Sequence, residues 1–153
     1  MDQIDRNILD CLQRDATLSV AEIAERVGLS TTPCWRRIQN LEKSGIIRAR
    51  VALLDPGALN VGVTVFVRLR VRHFSYEWLE SFAAAIRKID EVVEFYRMSG
   101  EIDYLLKIVV PDIGSYDDVY KRLLKVGEFS AVNSNFALEE IKYTTALPLG
   151  YIA

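Results

Sequence analysis

The sequence has few of the residues that build metal centres and disulfide frameworks. Among 153 residues there are two cysteines, Cys11 and Cys34, and a single histidine, His73. The cysteines lack CxxC spacing, and no cluster of further ligands accompanies His73, so we expect no metal site and no disulfide framework. There is also no phosphate-binding loop and no nucleophile–base pair, which argues against an enzyme.

Long apolar runs are missing as well. No segment approaches the roughly 18 apolar residues of a membrane span. Residues 1–6 form no basic region followed by an apolar stretch, so no signal peptide is expected. Apolar residues make up 50% of the chain and charged residues 26%, which is typical of a folded globular protein. These features predict a cytoplasmic protein with no membrane partner.

Charge is distributed unevenly along a chain whose net charge is −2. Residues 30–50 carry five basic side chains and one acidic side chain, a net charge of +4, whereas residues 51–153 carry a net charge of −3. A basic segment in an acidic protein suggests one anionic partner at one end of the molecule. Helical periodicity gives way to strand alternation at residues 55–62, so we predict two domains, 1–62 and 63–153.

The first domain is predicted to contain three short helices, the first capped by Asp2. Ser19 and Glu22 form a capping box at the start of the second helix. Gly28 ends that helix, because glycine adopts the left-handed conformation at low cost. Ser30 caps the third helix. Two short helices around such a tight turn have the spacing of a helix-turn-helix motif, and we expect the domain to end in a linker strand.

The third helix has two different sides. Cys34, Ile38 and Leu41 form an apolar stripe, which favours a buried structural thiol at Cys34 over a redox sensor. The other side carries donors and acceptors of the kind that contact base edges and phosphates. A three-helix core with a solvated polar face has the same pattern, but the local charge and the turn favour DNA binding. The candidate DNA-binding residues are Thr31, Thr32, Trp35, Arg36, Arg37, Gln39, Asn40 and Lys43.

The second domain has the order β-α-β-β-α-β of a ferredoxin-like fold, which makes the whole chain α+β. Apolar residues on both faces of its strands suggest that a second subunit covers the open sheet, the alternative being a monomer with ordinary surface apolar residues. The predicted elements are a strand at 61–71, a helix from Ser75, strands at 92–98 and 104–110, a helix capped by Ser115, and a last strand at 133–143.

The whole chain resembles the Lrp/AsnC family of bacterial and archaeal transcription regulators. The matching stretches are residues 4–9 (IDRNIL), 27–38 (VGLSTTPCWRRI), 45–47 (GII), 52–56 (ALLDP), 99–106 (SGEIDYLL) and 139–142 (EEIK). The resemblance implies a winged helix-turn-helix domain joined to a ferredoxin-like amino-acid-binding domain. It also implies dimers that pair through their C-terminal sheets and commonly assemble into octamers.

The resemblance further implies a small amino-acid effector, with no other cofactor, bound between dimers near the turn after the second strand. Its motif selects Gly100, Glu101 and Asp103. Asp103 would accept the ammonium group, and backbone N–H groups around Gly100 would donate to the carboxylate. A plain hairpin turn is the alternative for this segment. Ser134 and Phe136 are added only because they are adjacent in the family fold.

The expected function is therefore that of a sequence-specific regulator of transcription on double-stranded DNA. A dimer would place two recognition helices in successive major grooves. Residues 31–35 and 141–148 are similar to a subgroup containing regulators of cysteine breakdown. The alternatives are an architectural protein that binds DNA without an effector and an enzyme on the ferredoxin-like fold, such as an acyl-phosphate hydrolase.

Overall fold

The chain forms two compact units in a computed structural model that describes residues 1–73 and 75–152. The first unit contains Met1–Leu53 together with the C-terminal segment from Lys142. The second unit is Leu54–Ile141. None of the helices in the described part combines the length and apolarity that a bilayer crossing requires.

Three helices form the first unit: α1 (Gln3–Arg14), α2 (Val20–Val27) and α3 (Thr31–Lys43). The predicted capping box of α2 is present, with Ser19 accepting from the N–H of Glu22 and Glu22 accepting from the N–H of Ser19. Asp2 caps α1 in the same reciprocal way with Asp5. Gly28 has φ +71°, so it ends α2 in the left-handed conformation that glycine favours.

The core of this unit lies between the three helices. Ile8 of α1, Ile23 of α2 and Cys34 and Ile38 of α3 are at most 2% exposed. Burying such aliphatic side chains contributes about 1.5–3 kcal/mol each. The apolar stripe predicted for α3 is therefore its buried side, and the opposite side of α3 is left for solvent or a ligand.

The segment after α3 contains no strand in the described single chain. Residues 46–54 include Val51, Leu53 and Leu54, each more than 60% exposed, and the backbone forms no ladder with another segment. The predicted linker strand is therefore absent here. A strand requires a partner for its backbone N–H and C=O groups, and none of the described residues supplies one.

The C-terminal segment returns to the first unit and contacts α1. The backbone N–H and C=O of Leu147 bond to the side-chain amide of Gln13 at 2.8 and 3.2 Å. Arg6 donates to the carbonyl of Ile152, and Leu149 packs against the core of the three helices. The sequence does not predict this return, which brings residues expected in the second domain into the first unit.

The second unit is a four-stranded antiparallel sheet with two helices on one face. The strand order is β2-β3-β1-β4, which confirms the predicted ferredoxin-like fold. The elements are β1 (Val63–Val71), α4 (Tyr76–Ile86), β2 (Val92–Arg97), β3 (Tyr104–Val110), α5 (Ile113–Val126) and β4 (Phe129–Phe136).

The two faces of the sheet differ in what covers them. Val65, Val67 and Leu69 alternate along β1, are fully buried, and pack with Phe82 of α4 and Leu123 of α5. The opposite face has no covering element within the described part of this unit. Its apolar and charged side chains include Phe66, Arg68, Arg70, Tyr96 and Leu105.

Two predicted elements of this unit differ most from the structure, whereas β1 and β2 differ from the predicted 61–71 and 92–98 by at most two residues. The last strand is Phe129–Phe136, not 133–143, because Ala137 makes the final ladder bond to Thr64 and β1 begins at Val63. Beyond it Leu138 is fully exposed. The helix α5 begins earlier than predicted, since its cap is Asp112, whose carboxylate accepts from the N–H of Ser115.

Candidate DNA-binding and effector sites

The helix α3 presents a polar surface opposite its buried stripe. Its apolar residues point into the core and fix which side chains face outward. Trp35 is 51% exposed although it is the largest side chain of the helix. Six of the eight predicted DNA-binding residues are exposed: Thr31, Thr32, Trp35, Arg36, Asn40 and Lys43.

The N-terminus of α3 offers backbone donors. Ser30 occupies the cap position but makes no side-chain cap hydrogen bond, contrary to the simplest expectation for a capping serine. The N–H groups of Thr31 and Thr32 have no carbonyl partner inside the helix, and the next residue, Pro33, has no N–H. A helix start of this kind attracts anions such as phosphate.

Arg37 and Gln39 are only half-buried and are engaged within the protein. Arg37 Nη1 donates to Asp2 Oδ2 and to Asp5 Oδ1, both at 2.7 Å. The hydrogen bonds to Asp5 and Asp2 raise the pKa of Arg37, so it remains charged. Gln39 donates to Glu42 at 2.9 Å. Each of the two side chains therefore already has a partner within the protein. The DNA contacts of both residues stay predictions.

The turn between β2 and β3 carries three of the predicted effector residues. Gly100 has φ +108°, a conformation in which a side chain would be strained. Asp103 accepts from the N–H of Val71 at 2.8 Å, and its own N–H donates to the carbonyl of Leu69 at 2.9 Å. The turn is therefore fastened to the end of β1, with the backbone near Gly100 open to approach.

A shallow cavity of about 260 Å³ lies beside this turn on the open face of the sheet. Arg70 Nε donates to the carbonyl of Glu101 at 2.9 Å, which joins one wall of the cavity to the turn. Of the five predicted effector residues only Glu101 lines this cavity. Its lining consists of Arg68, Arg70, Glu101, Ile102, Ala131 and Asn133.

Ser134 and Phe136 lie on the other face of the sheet. In the ladder they stand opposite Val67 and Val65, whereas the turn is bonded to Leu69 and Val71 at the far end of β1. The hydroxyl of Ser134 is hydrogen-bonded to that of Tyr116 in α5, and the Phe136 ring packs edge-on against the Tyr116 ring. A single chain therefore does not bring all five predicted effector residues together.

Sequence reasoning missed the arginines of the cavity. Arg68 and Arg70 alternate with the buried Val67 and Leu69 along β1, so the sequence pattern already places the two arginines on the same face of the strand. Asn133 stands opposite Arg68, and Ala131 opposite Arg70. The sequence gives no signal for these cross-strand pairs, because β1 and β4 are about sixty residues apart.

Family comparisons match both units. Residues 1–48 match the family described as winged helix-turn-helix DNA-binding, and residues 64–147 match the Lrp/AsnC ligand binding domain. Together these stretches include α3 and the turn between β2 and β3.

Full-length relatives agree with these matches. The DNA-binding transcriptional activator DecR of Escherichia coli (strain K12) is 48% identical, covering 97% of this chain and 99% of its own. An AsnC family transcriptional regulator from Agrobacterium tumefaciens has a TM-score of 0.97 at 58% identity, with both chains fully covered. A transcriptional regulator from Neisseria meningitidis, solved as a complex with L-Met, has a TM-score of 0.93 at 40% identity, with 98% and 97% coverage. The chain therefore belongs to the Lrp/AsnC family of transcriptional regulators, with a winged helix-turn-helix domain and an amino-acid-binding domain.

Proposed function

We propose that this regulator binds specific duplex sites through α3 and that a small amino acid changes its assembly or its DNA affinity. The observation that carries the DNA-binding part is the exposed face of α3, where Arg36, Asn40 and Lys43 lie opposite the buried stripe. Side chains of these types donate to guanine and to phosphate or pair with adenine in the major groove. The helix start at Thr31 adds backbone donors for a phosphate.

Self-association is part of the proposal. The open face of the sheet exposes Phe66 and Tyr96 at 38% and 51%, beside the half-buried Leu105 and Val109. A second copy packed on this face would remove that apolar area from water. We propose that two copies form a dimer through this face and that dimers assemble further. Because the chain is acidic overall, the assembly would gain its affinity for DNA by presenting several basic faces of α3 at once.

The effector is proposed to bind between dimers, at the turn containing Gly100, Glu101 and Asp103, with Ser134 and Phe136 contributed by a neighbouring copy. The separation of these two groups within one chain is compatible with a site shared between chains. The L-Met complex of the Neisseria meningitidis neighbour makes methionine the first effector to test. An effector acts only by binding one arrangement of the assembly better than another.

Two measurements test this proposal on the full-length protein. Retention of duplex fragments is measured as salt is raised, and thermal unfolding is measured with each of the twenty amino acids. We expect salt-sensitive DNA retention and a higher melting temperature with one or a few amino acids, because a ligand of the folded state stabilises it. Absence of salt-sensitive retention on any duplex would overturn the DNA-binding proposal.

The second candidate is an architectural DNA-binding protein without an effector, which shares every feature of α3. It predicts DNA retention with no amino-acid effect on melting, on sedimentation or on DNA affinity. A response to any amino acid in these three measurements excludes it. Regulation of cysteine breakdown is a narrower possibility that a response to cysteine would favour.

A further inference from the structure

Arg37 is placed differently from the other cations of α3. Its Nη1 lies 2.7 Å from an oxygen of Asp2 and 2.7 Å from an oxygen of Asp5, and its side chain is 31% exposed. Arg36 and Lys43 are exposed and form no ion pair with the part of the chain that the structure describes. The middle of α3 is thus joined through Arg37 to the first turn of α1.

The four carboxylate oxygens around Arg37 are divided between two tasks. Asp2 Oδ1 accepts from the N–H of Asp5 at 2.9 Å, and Asp5 Oδ2 accepts from the N–H of Asp2 at 3.1 Å. The remaining oxygens, Asp2 Oδ2 and Asp5 Oδ1, both accept from Arg37. Each carboxylate therefore caps α1 with one oxygen and holds Arg37 with the other, so the guanidinium is bonded to groups that the backbone of α1 already orients.

This arrangement disfavours a phosphate contact by Arg37. One guanidinium and two carboxylates give the cluster a formal charge of −1 at neutral pH, so the two carboxylates oppose the attraction between Arg37 and a phosphate. A phosphate that took over Nη1 would also break two charge-assisted hydrogen bonds, which are stronger than neutral ones.

We infer that Arg37 is a positioning residue that sets the orientation of α3 through Asp2 and Asp5 and makes no contact with DNA. The inference rests on the proposed DNA-binding function of α3. Apolar packing of Cys34 and Ile38 holds α3 against the core but is non-directional. The two hydrogen bonds of Arg37 are directional, so they fix the rotation of α3 about its own axis and with it the direction of Arg36.

The test compares full-length R37Q with R14Q. Arg14 pairs with Asp10 on the surface of α1, so its removal changes the net charge equally without touching α3. The affinity of each protein is measured over a series of salt concentrations for two duplexes. One is a duplex that the wild type enriches from a randomised library, and the other is poly(dI-dC). For R37Q we expect the ratio of the two affinities to fall by about three- to tenfold, with an unchanged salt slope. Loss of a phosphate contact would instead lower the slope of log K against log salt by about 0.9 and leave the ratio intact.

For a second variant, D5N, the positioning role and the phosphate role predict different changes in DNA binding. This variant remains informative if R37Q fails to fold. If Arg37 is a positioning residue, D5N loses discrimination between the two duplexes as R37Q does. The double variant then discriminates no less well than the more impaired of the two single variants. A phosphate role predicts that D5N binds both duplexes more tightly than D10N does, because only D5N frees Arg37 from a carboxylate while both variants lose one negative charge, and this result would overturn the inference. All assays run at temperatures where thermal unfolding shows each variant folded, so reduced stability alone leaves the affinity ratio unchanged. If the wild type itself binds no duplex, the DNA-binding proposal fails, not the role of Arg37 within α3.

Discussion

The carboxylate of Asp103 accepts a hydrogen bond of 2.8 Å from the backbone N–H of Val71, so a residue proposed to bind the effector also holds its turn in place. The backbone of Asp103 adds bonds to Leu69 and Met98 at 2.9 and 2.8 Å. A carboxylate has about four acceptor positions. One bond to Val71 therefore leaves Asp103 able to accept an ammonium group as well.

Replacing Asp103 separates these two roles. Asp103→Asn keeps an acceptor for Val71 and removes the charge, so we expect it to lose effector binding while DNA binding without effector persists. Asp103→Ala also leaves the N–H of Val71 without this partner, which costs about 1–3 kcal/mol where the group is shielded from water. Calorimetric titration with the amino acid that stabilises the wild type checks the first result, and thermal unfolding the second. Normal heats of binding in Asp103→Asn would show that the charge of Asp103 does not contribute to effector binding.

Arg36 is the side chain of α3 best suited to contact a base. Arg36→Ala is expected to weaken binding to the enriched duplex by about 1–3 kcal/mol and to relax the preference at one base position. The matched control is Lys125→Ala, which removes an exposed cation from the second unit. Fluorescence anisotropy on the enriched duplex and its single-base-pair variants provides the measurement. Affinity equal to the wild type on every duplex would show that Arg36 contacts no base.

Local sequence signals predicted the helices of the first unit and most of the second. Capping at Asp2, Ser19 and Gly28 depends on neighbours within a few residues, so the sequence contains all the information needed to predict it. The alternation of β1 likewise predicts its buried face. The bounds of β3, Tyr104–Val110, were predicted without error because a turn precedes them and Pro111 follows.

The features of the structure that the sequence does not predict depend on contacts between residues that are distant in the chain. The pairing of Arg37 with Asp2 joins residues 35 positions apart, and no local pattern distinguishes it from a surface arginine. The end of β4 depends on where its neighbour β1 begins, so apolar alternation beyond Phe136 was misleading. Ser134 is predicted to line the effector pocket. Its hydroxyl is hydrogen-bonded to that of Tyr116 in α5, and the sequence alone does not show which face of the sheet α5 covers.

The C-terminal segment is expected to stabilise the helical unit. Leu149 is half-buried against the helical core, so Leu149→Ala should lower the free energy of unfolding of that unit by about 1–2 kcal/mol. Leu147→Ala is the control, because this side chain is 72% exposed while only its backbone bonds to Gln13. Denaturant titration followed by Trp35 fluorescence, in a Trp78→Phe background, reports on the first unit. Equal unfolding curves for the two variants would show that the segment does not stabilise the unit through Leu149.

Cys34 is expected to be an unreactive thiol in the folded protein. It is fully buried, and burial raises its pKa above the usual value, so even less of it is ionised at neutral pH than in an exposed cysteine. Since the thiolate is the reactive form, a disulfide reagent near pH 8 should label Cys11, which is partly exposed, and label Cys34 only after denaturation. Counting modified thiols by absorbance in wild type and Cys11→Ser checks this, with denatured protein as the full-labelling control. Rapid labelling of native Cys11→Ser would mean that α3 moves away from the core often enough to expose Cys34, and a redox role for this residue would then deserve testing.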